Sequence, residues 1–239
     1  MLTSLLPGFR HLRTPFAVGA LFTFTFWIWR GASIPTHNEM HGFPGRLYSL
    51  AELAGRPITT AVLAFVVYVI GDILKLSTDQ LSILNKSPHL SLVNYFDLRR
   101  FARSAFEKRA PHGEPSGLVD SLTRKIFEDG FSEIRMRLIV SHLDLYLEHD
   151  RTESEGEFRA NVAVFSALLW ITLAFKWSPL FAVGLLASAM LLVNGLRTLT
   201  DANKIIVQAL ISGVVTSRYY EEEKQRDQAS EDEAGRDNT

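Results

Sequence analysis

Four apolar runs constrain this chain more than anything else in it: Thr14 to Trp29, Ile58 to Leu74, Asn161 to Phe175, and Ser178 to Leu196. A hydrocarbon core of about 30 Å takes roughly 20 helical residues to cross, and shorter runs suffice where flanking Arg, Lys or aromatic side chains reach the interface. A buried helix of a soluble protein normally keeps a polar face, whereas the fourth run offers none before Asn194. The pattern therefore predicts an all-α integral membrane protein with four transmembrane helices. The first run also has the outline of a secretory signal, with Arg10 and Arg13 ahead of it and the small residues Gly31 and Ser33 behind it. Its length and Arg30 favour a retained anchor.

Composition adds the arrangement of charge. Lys and Arg number 25, Asp and Glu 26, and 47% of residues are hydrophobic, so net charge separates no function classes. The distribution does, because charged residues are gathered between the apolar runs. There is no cysteine, which excludes disulfides, thiolate metal sites and a cysteine nucleophile. With four crossings, Arg10, Arg13, Lys75, Arg99, Arg100, Arg103, Arg151, Arg159 and Arg197 share one side, as do both termini. The positive-inside rule makes that side cytoplasmic; the expected bilayer is the plasma (inner) membrane. Trp27, Trp29 and Trp177 then fall at the outer boundary as an aromatic belt.

Five segments follow. Residues 1–74 form a transmembrane pair with an outer loop at 30–57, and 75–160 a helical cytosolic segment. Residues 161–196 form a transmembrane hairpin, 197–220 a juxtamembrane helix, and 221–239 an acidic tail too poor in apolar residues to order itself. The second span is expected to run on as a helix through "KLSTDQLSIL" and to stop near Pro88. "LVNYFDLRRFARSAFEKR" carries an apolar stripe with Arg99, Arg100 and Arg103 off it; such a helix either packs on its neighbours or lies on anionic lipid head groups. From Phe131 the stripe Ile134, Leu138 and Leu145 meets no proline or glycine before Gly156, which predicts one helix running into the third span. Just ahead of that span, Asp150, Glu153 and Glu157 share a helix face, and Arg151 and Arg159 stand one turn from Glu155. That row reads as a solvated face. Its alternative role is to hold a cation or another subunit's arginines.

Candidate sites are few. His37, Glu39 and His41 have the residue types of a metal site, but a zincin places glutamate directly after its first histidine on a helix, and here turn residues surround the motif. Asp72, with Lys75 one turn on, is the intramembrane polar candidate: it lines a polar path or is paired to Lys75 and structural. Gly184 with Ser188, Ala163 with Ala167, and Gly19 with Thr23 are small residues four apart, spaced for close helix packing within or between chains. There is no phosphate loop, dinucleotide fingerprint or nucleophile elbow. No cofactor and no nucleic acid partner is implied.

"HDRTESEGEFRANVAVFSAL" before a tight hairpin, and "ANKIIVQALISG" after the last span, resemble stretches of uncharacterised bacterial multi-pass membrane proteins. The resemblance covers about the last hundred residues and implies no activity. The expected function is membrane-anchored binding, sensing or scaffolding through the cytosolic helices, with lipid, a second copy or another protein as partner. An oligomeric channel with Asp72 near its axis is the alternative, and a metalloenzyme using His37, Glu39 and His41 is a third.

Overall fold

The computed structural model describes residues 8–31, 42–77, 80–81 and 131–215, and every regular element among them is helical. In order these are α1 (Gly8–Trp29), α2 (Phe43–Ala54), α3 (Arg56–Leu74), α4 (Phe131–Ser141), α5 (Leu143–Lys176), a 3-10 turn (Pro179–Val183) and α6 (Gly184–Ile211). Three are long and apolar enough to cross a bilayer: α3, α5, and the 3-10 turn joined to α6. In α1 the phenylalanines are diluted by three threonines, two tryptophans, Pro15 and Arg13. It falls short of the same standard.

Two compact units divide the chain. The first holds α1, α2, α3, α5 from Ser154 onward and α6 to Leu196. Its helices are close because small residues face each other. A Cβ on Gly19 would meet the Val67 carbonyl, and one on Gly71 would meet the Pro15 carbonyl, so α1 and α3 cross antiparallel with backbone against backbone. Lipid already solvates apolar side chains, so helices in a bilayer gain little from hiding them and more from such approach. The α5–α6 pair repeats the device: Gly184 abuts the Trp170 ring, and a Cβ on Gly195 would lie 2.7 Å from the Ala160 nitrogen. Between these points the Ser166 and Ser188 hydroxyls are hydrogen-bonded at 2.8 Å.

The small-residue pairs thus serve contacts within this chain. Gly19 and Gly184 act as expected, while Thr23 is exposed and the true counterpart of Gly19 is Gly71. The expected tight hairpin after Lys176 is present. Its return begins as a 3-10 turn rather than an α-helix, with the Ser178 hydroxyl accepting from the Leu180 N–H and Phe181 ringed by Trp170 and Trp177.

Two helix ends differ from expectation. α3 does not run on through "KLSTDQLSIL" but stops at Leu74, with Lys75 extended at φ −57°, ψ 137°. Ser77 and Gln80 then form a reciprocal capping box: the Ser77 N–H donates to the Gln80 side chain, and the Gln80 N–H to the Ser77 hydroxyl. That pattern starts a new helix instead of extending the old one. Likewise the helix from Phe131 is interrupted at His142. The Arg135 guanidinium, 2.8 Å from the Glu153 carboxylate, shows that α4 folds back on the start of α5. A straight helix would separate those residues by about 27 Å.

The second unit contains α4, the start of α5 and the end of α6. Its core is a hydrophobic cluster: Ile134, Leu138, Ile206, Ala209, Leu210 and Val215 are buried together, with Leu145 and Tyr146 against them. Residues 197–211 continue α6 without a break. Residues 32–41, the segment carrying Arg99 and the residues after Val215 lie outside the described residues.

Gly71→Ala places a methyl group against the Pro15 carbonyl, where only backbone can yield. We expect a loss of about 1–3 kcal/mol, read as a lower thermal midpoint in detergent. Ile73→Ala, on the same helix but 78% exposed, should leave the midpoint nearly unchanged.

Candidate functional site

The densest polar cluster of the first unit lies where the charged half of α5 gives way to its apolar half. It is built around Asn161, which is fully buried. Its Oδ1 accepts from the Leu76 N–H at 2.7 Å, while Nδ2 donates to the Leu76 carbonyl at 2.9 Å and to the Glu157 carbonyl at 3.0 Å. Both amide hydrogens and the oxygen are therefore used. Leu76 follows the last turn of α3, where its backbone groups have no helical partner. Asn161 supplies those partners and so fixes where α3 ends.

One turn earlier on α5 lies an arginine-glutamate cluster. Arg13 of α1 donates to the Glu155 carboxylate at 2.6 Å and to the Ser154 carbonyl at 3.4 Å, and its guanidinium sits 4.5 Å from the centre of the Phe158 ring. Arg159 approaches the other Glu155 oxygen at 3.1 Å. Burial alone would raise the Glu155 carboxyl, but the Arg13 hydrogen bond and the two guanidinium charges outweigh it and hold it below the ordinary glutamate value. Of the carboxylate row Asp150, Glu153 and Glu157, Glu153 meets an arginine of its own chain, Arg135 in the second unit, while Arg13 engages Glu155 beside the row. Sequence reasoning found the Glu155–Arg159 pair by its spacing. It had no signal for Arg13, 142 residues from Glu155.

Asp72 is paired with Lys75 at 2.9 Å, at the end of α3. The hydrogen bond that the Lys75 ammonium donates to the Asp72 carboxylate raises the Lys75 pKa above its ordinary value. Asp72 pairs with Lys75, Glu155 with Arg13 and Arg159, and Asn161 with the Leu76 and Glu157 backbone, so no nucleophile or general base stands unengaged among them. Arg99, Arg100 and Arg103, and His37, Glu39 and His41, lie outside the described residues. Among the described residues no group of three His, Asp or Glu side chains is placed to hold a metal.

On the other flank of the first unit, α1 and α5 leave an apolar groove of about 260 Å³ between Phe22, Phe26, Trp29, Phe165 and Leu168. Thr25 and Thr172 also line it, but their hydroxyls donate to the Leu21 and Leu168 carbonyls of their own helices. Its walls offer only hydrocarbon contact.

The second unit holds a group the sequence did not flag. His149 is 1% exposed, and neither ring nitrogen has a hydrogen-bond partner among the described residues. Burial, then the charge of Arg135, lower its pKa from 6.5 to about 4, against a smaller opposing effect of Asp150. Glu153 lies 3.7 Å from Nδ1 but is already engaged by Arg135 at 2.8 Å. The imidazole is therefore neutral at physiological pH.

Searches against protein-family models, curated proteins and solved structures find no match to this chain. The class rests on the fold itself: an all-helical chain with three helices fit to cross a membrane.

Two outcomes follow from these geometries. Asn161→Ala strips both Leu76 backbone groups of their partners, at about 1–3 kcal/mol for each buried group left unsatisfied. The thermal midpoint in detergent should fall further than for Glu155→Gln, whose partly exposed pairs contribute about 0.2–1 kcal/mol. For His149 the folded state binds the proton less readily than the unfolded chain, so its stabilising effect is complete above pH 6.5 and is lost as pH falls toward 4. The loss amounts to about 3 kcal/mol, at 1.36 kcal/mol per pH unit. Wild-type midpoints should drop more steeply than those of His149→Leu over that interval; parallel curves would mean that the imidazole is solvated.

Proposed function

We propose that this chain is a four-span protein of the plasma membrane, with both termini cytoplasmic, that anchors a helical binding module. The observation that carries the reading is the outward apolar surface of the first unit: Phe65, Leu186 and Met190, on helices long and apolar enough to cross a bilayer, are each 65% exposed or more, as suits helices solvated by lipid. In the second unit Ile134, Leu138 and Ile206 are fully buried, as suits a bundle in water.

The course of α1 supports a fourth crossing. Arg13 meets Glu155 and Phe158 near one end, and Phe22 to Trp29 line a groove with Phe165 and Leu168 further along, so α1 runs parallel to the apolar half of α5. A helix that accompanies a spanning helix along its length spans with it. Its two tryptophans suit an interfacial position.

A binding role finds support in the surface of the second unit. Met136, Val140, Leu143 and Leu147 are exposed along α4 and the first turns of α5, with Val140 at 89%. Exposed apolar stripes outside the membrane mark contact surfaces. An oligomeric pore with Asp72 toward its axis is the second reading, favoured by the half-exposed Asp72 side chain. The Lys75 ammonium beside it balances that charge within the chain and favours a structural role.

One pair of measurements separates the readings. A photo-crosslinking residue at Val140, Leu143 or Leu147 should give a discrete protein adduct in native membranes, and the purified protein should carry no current in planar bilayers. A current abolished by Asp72→Asn, with no adduct at any of the three positions, would replace the binding module with a pore.

A further inference from the structure

α2 is a 12-residue helix in what the sequence presents as a solvated outer loop. Leu47, Leu50 and Leu53 recur every three residues along it and are 50%, 60% and 86% exposed. Three exposed leucines in one short helix do not suit water. Glu52 lies across the helix from Leu50, and Ser49 spends its hydroxyl on the Gly45 carbonyl at 3.1 Å, so the polar groups are local or on another face.

What covers the leucines is indicated by where α2 is attached. A single residue, Gly55 at φ +80°, separates α2 from α3, whose apolar stretch is almost wholly unburied by protein. The corner is closed from within: the Thr59 hydroxyl contacts the carbonyls of Ala51 and Gly55, each at 3.0 Å, so α2 ends level with the first turn of α3. The lipid that solvates Ile58, Val62 and Phe65 on α3 therefore reaches the C-terminal end of α2. Arg46 and Arg56, at either end of the leucine stripe, are placed for lipid phosphates, as on other interfacial helices.

We infer that α2 is an interfacial helix, lying in the outer leaflet at head-group depth with Leu47, Leu50 and Leu53 inserted among acyl chains. Its partner is the lipid surface itself. Such a helix fixes the depth of α3. The inference rests on the reading of α3 as a membrane span.

The absence of native cysteine allows a direct test. Single cysteines at Leu47, Leu50, Glu52 and Phe65 in the full chain are spin-labelled and reconstituted in vesicles of phosphatidylethanolamine and phosphatidylglycerol. Collision rates with oxygen, enriched in lipid, and with a nickel chelate, confined to water, are compared. Labels at Leu47 and Leu50 should favour oxygen several-fold over the label at Glu52, with Phe65 deepest of all. Nickel access at all three α2 positions while Phe65 stays oxygen-rich would overturn the interfacial helix and leave the span standing. Nickel access at Phe65 would remove the span and the inference with it. Shielding of Leu50 from both reagents, with dipolar broadening between labels, would put a second copy on this face and likewise overturn the inference.

Discussion

At Leu76 the chain leaves α3, and a single side-chain amide takes up both of its backbone polar groups. Much of the first unit depends on that grip. A helix ending next to hydrocarbon must find partners for the carbonyls and amide it no longer pairs, since each one left bare costs several kcal/mol in an apolar medium. Asn161 provides them from α5, in a residue with no exposed surface. Its position at the boundary between the charged and apolar halves of α5 is thereby explained: it is the polar group of α5 that meets the end of another helix.

The other fixed points are places where side chains are missing. Gly19 against Gly71, Gly184 against Trp170 and Gly195 against Ala160 bring helices closer than any larger residue would allow. Such contacts need no hydrophobic driving force, only dispersion at short range and a few hydroxyl bonds such as Ser166 to Ser188. Together with Asn161 they hold the first unit while its outward faces remain apolar. The second unit is held by a buried apolar cluster that includes Ile134, Leu138 and Ile206.

Apolar run length made the helices legible in sequence, because it depends on each segment alone: α3 and the α5–α6 hairpin fall where the runs predict. What sequence reading missed is non-local or reverses a local signal. Asn161 reaches Leu76 across 85 positions, and Arg13 reaches Glu155 across 142, separations at which no spacing rule applies. The end of α3 was legible in principle, since Ser77 and Gln80 carry the capping-box pattern, but the same residues also continue a helical stripe. At His142 no glycine or proline announced the turn. There the fold-back depends on α4 and α5 sharing a core and on the Arg135–Glu153 pair, both tertiary.

α5 is where the two regimes meet in one continuous helix. Before Ser154 it belongs to the second unit, with His149 buried and Glu153 engaged by Arg135; from Asn161 on, small and aromatic residues face other apolar helices. Between them lie Glu155, Phe158 and Arg159, which with Arg13 form a belt that is both charged and aromatic. Such a belt suits a head-group region, where long side chains keep their charge wet and their stems in contact with hydrocarbon. A charge inserted after Asn161 would carry a desolvation cost in the apolar half of α5. The abrupt change of composition at Asn161 coincides with the point where α5 holds the end of α3.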